Sequence, residues 1–268
     1  MARPWERLFI AAARLFAWCV VLTPFAVVGV LVAAALGGRQ KPDIVFFLGN
    51  LVVQLFATVF VGAIGAGVGA SIGLGTALLT RELLPPKTGR TFVLAIRILA
   101  ALPAVVLGWF GATVVLPALA GRTAMAVFVA AAAVVTMAVI PRAYRLTSRS
   151  LADLSLSVRE SAAAAGASSS RITAHVTLPA IRRRLGGVYA DSFSRGVSEA
   201  AAVTIVFLAA VRAGYPVDLF TIPSAIMAHA PSIQFVDAGI AQSALLVLVL
   251  AAVNKTLAAR RMGDLQWV

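Results

Sequence analysis

The sequence predicts an all-α, polytopic membrane protein of six transmembrane helices with helical segments in one cytoplasmic loop. Three observations carry that expectation. The 268 residues are 61% hydrophobic and 12% charged, with mean hydropathy +0.96, too little polar surface for a soluble domain of this length. A spanning helix takes roughly 20 apolar residues, and the chain has room for about six, read as a single domain over residues 1–268. The basic residues sit at the ends of apolar stretches and not on one soluble face, so the net charge of +13 argues against nucleic-acid binding.

Arg3, Arg7 and Arg14 precede an uncharged run over 15–38, the first span. Its apolar core exceeds the ~7–15 residues of a secretory h-region, so it reads as a retained helix and not as a signal cleaved near Ala33-Ala34-Ala35. Cys19 lies within it and forms no internal disulfide, being the chain's one cysteine.

Residues 44–80 are free of charge and hold the second span, 53–80. There Gly65, Gly69 and Gly73 recur every fourth residue, a small-residue face that lets helix backbones approach closely. A phosphate-cradling loop needs a Lys-Ser or Lys-Thr after its glycines, and none follows. A basic connection with Pro85-Pro86 leads to the third span, 98–116, whose start Pro103 bends.

The fourth span is 124–140, and a long polar loop over 141–186 follows it. The fifth, 187–211, contains charges. The uncharged stretch Leu219 to Val236 is interrupted by Pro223, His229 and Pro231, which fits a short outer helix or re-entrant turn. The sixth span, 238–253, leads into a tail with Lys255, Arg260 and Arg261.

Orientation follows from the excess of Lys and Arg on cytoplasmic segments. With the N-terminus inside, those segments hold 18 of the 23 basic residues and the outer links hold Arg39, Lys41, Arg122 and Arg212. Both ends are therefore expected in the cytoplasm.

Within the loop, Ser150 to Asp153 fits a capping box opening a helix that continues through Arg159, Glu160 and an alanine run. Gly166 is placed to end that helix in a left-handed conformation. Ser168 to Ser170 are placed to cap a second short helix, which Pro179 stops. Helix, glycine turn, helix and proline make a compact knob beneath the membrane.

In the fifth span Asp191, Arg195 and Glu199 are spaced i, i+4, i+8 and share one helix face. Each costs ~2.5–3.5 kcal/mol at a helix centre, which pairing of Arg195 with the two acids reduces. Two readings stand: a packing salt bridge, or a substrate path in which Arg195 meets an anion and Glu199 holds it in place. Asp191 is either paired or solvated at the cytoplasmic boundary.

Glu160, Ala162, Gly166, Leu178 and Pro179, at their spacing, resemble the EAA loop of ATP-binding-cassette (ABC) importer permeases, with Ser161 and Val176 departing from the pattern. The resemblance implies the transmembrane domain of a type I ABC importer whose loop docks on an ATPase. Three segments are also similar to phosphate-specific (Pst-type) permeases: GLGTALLTREL from Gly73, ALPAVVLGWFG from Ala101 and RGVSEAAAVTIVF from Arg195. With the loop they lie between residues 73 and 207, about half the chain. Departures at Ser198, Ala200 and Ala104 to Leu107 weaken the substrate assignment and leave the transporter class intact.

What the resemblance implies is a multi-pass protein of the bacterial plasma membrane, without catalysis or a nucleotide site of its own, ATP and Mg binding to the partner ATPase. Its partners are a second permease subunit, identical or different, an ATPase dimer and an extracytoplasmic binding protein. Phosphate is the implied substrate, with molybdate, sulfate or another solute as alternatives. An ion-coupled secondary transporter predicts matched internal repeats, which the sequence does not show, and a membrane scaffold or sensor predicts no polar face in the fifth span.

Overall fold

The computed structural model describes residues 44–217 except 120 and 155, together with scattered positions between 14 and 29. The expected first span lies mostly, and the sixth and the 219–236 stretch wholly, outside the described residues. Helix α1 is Ile44–Leu78, extended by one widened turn over Leu79–Leu83; α2 is Pro86–Ala101 and α3 is Ala104–Ala118. Helix α4 is Ala124–Ala152, α5 is Leu156–Ala164, α6 is Ser169–Val197 and α7 is Ala200–Arg212. The described residues are all-helical or connecting chain, in line with the expected class.

Two helices, Val52–Leu83 and Ala124–Ala152, are each long and apolar enough to cross a membrane. Two bent pairs raise the number of candidate spans among the described residues to four if each pair counts as one. The third expected span, 98–116, is such a pair: α2 and α3 meet at 99°. Leu102 is extended because the following Pro103 disfavours the helical region for its neighbour, and Pro103 then starts α3. The fifth, 187–211, is the other pair, with α6 and α7 bent by 45°.

Helix α4 does not stop where the apolar run stops. It passes through Pro141 and continues to Ala152, so the first twelve residues of the expected loop are membrane-helix extension. The capping box at Ser150 does not form. The Ser150 hydroxyl donates back to the Leu146 carbonyl at 3.1 Å, and Asp153 is the residue that closes α4. At its other end, Thr123 accepts from the Ala126 amide at 3.2 Å and starts α4 after the left-handed Gly121.

Pro179 likewise does not stop a helix. The Leu178 amide donates to the Thr173 carbonyl, one residue further back than in an α-helix, and α6 runs on to Val197. A proline in a helix lacks one donor and clashes with the carbonyl four residues earlier. The widened turn over Thr173–Thr177 contains that residue, His175, and absorbs the conflict. Pro117 in α3 sits two residues past a similar turn, Gly111–Val115.

The core is the seam between α1 and α4. A Cβ added at Gly65 stands 2.6 Å from Val135, at Gly69 2.8 Å from the Thr136 carbonyl, and at Gly73 2.7 Å from Ala143. The expected glycine face thus meets α4 directly. Between helices in lipid, close packing and small residues supply the attraction that water expulsion supplies in soluble cores. Val135 and Val139 of α4 are fully buried there, Val134 is buried against Gly111 of α3, and Phe207 of α7 packs edge-on to Phe128 at 5.4 Å.

Candidate functional site

The polar knob begins with α5. The Ala167 amide donates to the Ala162 carbonyl at 3.1 Å and the Gly166 amide to Ala163 at 2.9 Å, a Schellman termination. Gly166 has φ +83°, and nothing stands within 4 Å of where its Cβ would be. Conformation and not space therefore demands the glycine, as the sequence predicts. Ser168 precedes α6 in an extended conformation, but its hydroxyl meets Ser170 at 3.2 Å and caps no amide.

The knob has a buried side and an open side. Ile172, Thr173 and Thr177 are buried, whereas Glu160, Ser161, Ala163 and Pro179 are exposed and Ala162 and Leu178 are half-buried. Two ion pairs hold it from behind. Arg159 reaches Glu82, at the end of α1, at 2.9 Å and donates to the Leu151 carbonyl at 2.9 Å; Arg184 donates to Asp153 at 2.6 Å. The sequence reading missed these two acids and Arg184, because their partners lie far away in the chain.

The charged face of the fifth span divides differently from its expected pattern. Asp191 is 4% exposed and is not solvated; Arg142 of α4 holds it bidentately, through Nε to Oδ2 and through Nη2 to Oδ1 at 2.8 Å. Arg195 pairs with Glu199 at 2.7 Å and not with Asp191. Glu199 lies past the end of α6, with φ −77° and ψ 77°, so the i+8 position has left the common helix face. Its carboxylate is buried, and Arg195 is half-exposed toward a cavity that Arg142 also lines.

Of the five acidic side chains in residues 44–217, Glu82, Asp153, Asp191 and Glu199 each pair with an arginine. Glu160, exposed on α5, is the one without such a partner among the described residues.

No family model and no curated protein sequence matches this chain. Solved structures do. A chain of a bacterial alginate ABC transporter, solved in complex with an alginate pentasaccharide-bound periplasmic protein, aligns with TM-score 0.66 at 12% identity, covering 97% of this chain and 98% of that one. A chain of the MetNI methionine ABC transporter in an inward-facing conformation aligns with TM-score 0.60 at 15% identity over 83% of this chain and 97% of that one. An amino acid ABC transporter chain, from a crystal structure with histidines, gives 0.59 at 14% over 82% and 97%. The fold resembles that of these ABC transporter chains. At these identities the likeness concerns the fold, and the roles of individual residues rest on the geometry above.

Proposed function

We propose that this chain is the membrane permease subunit of an ATP-driven importer of inorganic phosphate, moving its substrate inward by alternating access. The observation that carries the transporter class is the state of Glu160. The other carboxylates between 44 and 217 are consumed by arginines, while Glu160 stands open on a short helix braced from behind. A free charge on a rigid base, outside the helix bundle, suits docking to another protein. The fold likeness supports the same class.

In this reading the exposed face of α5, with Glu160, Ala162 and Gly166, docks on a cytoplasmic ATPase that binds the ATP and Mg. Leu178 and Pro179 carry its movement along α6 toward the fifth span. A second permease subunit and an extracytoplasmic binding protein complete the assembly in the bacterial plasma membrane, with both chain ends cytoplasmic. The substrate rests on the Pst-like segments and on Arg195 at the helix break, with Glu199 and Asp191 fixing the arginines around it. The departures at Ser198 and Ala200 weaken the phosphate assignment and leave the transporter class intact, so the second reading is the same machine working on another oxyanion, molybdate or sulfate, or on another solute.

The test is uptake of radiolabelled phosphate by cells lacking their own phosphate permease, supplied with this chain and its partner subunits. Uptake that requires ATP, is competed by arsenate but not sulfate, and is lost in Glu160→Arg supports the reading. Assembly with the ATPase but no phosphate uptake removes the substrate; absence of assembly removes the permease role.

A further inference from the structure

The cavity beside Arg195 has more positive charge than its ion pairs require. It measures about 160 Å³ and is lined by Arg142, Arg145 and Arg195 against apolar residues that include Leu102 and Leu107. Arg142 is balanced by Asp191 and Arg195 by Glu199. Arg145 has no acidic partner among the described residues. The wall therefore offers three guanidinium groups and a net charge of one.

Clustered guanidiniums repel one another unless an anion joins them, and their planar donors match the oxygens of an oxyanion. Space sets the class of ion. Liquid water takes roughly 30 Å³ per molecule, so the cavity has room for about five. A tetrahedral oxyanion with part of its hydration shell fits that space.

Arg145 also lines a second, wider cavity of about 420 Å³, together with Arg81, Arg97 and Arg149. Ala100 and Pro141 belong to both walls, so the two spaces adjoin. Arg142, Arg145 and Arg149 are three and four residues apart on α4 and follow one face of it. Arg81, Arg97 and Arg149 likewise lack an acidic partner among the described residues.

We propose that the small cavity binds a tetrahedral oxyanion and that Arg145, the cation common to both cavities, passes it to the wider cleft. The inference rests on the permease reading and adds to it a binding cavity and a residue, Arg145, that the sequence did not assign. The phosphate of an anionic lipid headgroup has the same chemistry; the small volume favours the free ion, and the experiment separates the two.

The full chain, co-expressed with its ATPase, is placed in phosphatidylcholine discs, and binding of radiolabelled inorganic phosphate is read at equilibrium. A parallel set of discs contains cardiolipin. Wild type binds phosphate saturably and arsenate, a tetrahedral oxyanion of the same charge, displaces it, which reads the site without any variant; phosphate that arsenate does not displace counts against it. Loss of a charged hydrogen-bond donor predicts that Arg145→Gln binds at least about tenfold more weakly, with Arg145→Lys in between. Arg145 is exposed, so neither replacement opens the core, and unchanged melting temperatures check this.

Equal phosphate affinity in wild type and Arg145→Gln overturns the proposal. So does a wild type that binds no phosphate, sulfate or molybdate yet retains cardiolipin through Arg145. In either case co-purification of the ATPase keeps the permease reading; failure of the ATPase to co-purify strikes that reading instead.

Discussion

Two sides of helix α4 are held by opposite means. Toward α1 the seam is dry and made of Gly65, Gly69 and Gly73 against valines, alanines and backbone. Toward α6 it is made of charge, with Arg142 gripping the buried Asp191. Glycine packing has one good arrangement and loses energy steeply when it is disturbed. Charged pairs are expensive to bury and can trade partners, which suits a part of the molecule that meets an ion or moves. The difference separates a dry, close-packed seam from a charged one.

Breaking the charged side gives the largest expected effect. Asp191→Ala removes the carboxylate that holds Arg142, whose side chain is 37% exposed, so solvent screening brings the cost below the about 3–5 kcal/mol of a fully buried pair. Arg142→Met combined with Asp191→Leu removes both charges and recovers most of that loss. Thermal unfolding of the purified protein in detergent distinguishes the two. A double variant as unstable as the single one would mean that packing, not pairing, sets the cost.

On the dry side, Gly69→Ala places a methyl 2.8 Å from the Thr136 carbonyl, which cannot rotate away. Overpacking of this kind costs about 1–3 kcal/mol. Gly67, on the same helix, has nothing within 4 Å of its Cβ position and serves as the control. Gly67→Ala is expected to be neutral or stabilising, since alanine is the better helix former by about 0.8–1 kcal/mol. Equal melting temperatures for the two variants would refute the seam.

The dry seam is more legible in sequence than the charged one. The glycine repeat of α1 and the left-handed turn at Gly166 are local patterns, and local patterns survive translation into structure. The Arg142–Asp191 pair joins residues 49 apart and has no local signature. The spacing of Asp191, Arg195 and Glu199 suggested one helix face, but the Glu199 amide bonds back to the Gly196 carbonyl and the helix ends there. Pro141 marked the end of the apolar run, yet α4 continues because helix and hydrophobic span are different things. Pro179 misled for a related reason: a widened turn lets a proline sit within a helix.

The knob carries a smaller version of the same contrast. Glu82 is 8% exposed under Arg159, whereas Asp153 is 62% exposed beside Arg184. Arg159→Ala strands a buried acceptor at a cost of about 1–3 kcal/mol. Asp153→Asn breaks a surface pair worth about 0–1 kcal/mol, and salt screening lowers it further. If both pairs merely stiffen the knob, both variants lower the melting temperature and leave transport per ATP hydrolysed unchanged. If the Glu82 tie transmits movement from α5 to α1, Arg159→Ala uncouples ATP hydrolysis from uptake while Asp153→Asn keeps both. Uptake and hydrolysis measured together in proteoliposomes decide between them, and equal coupling in the two variants would assign the Glu82–Arg159 pair to stability alone.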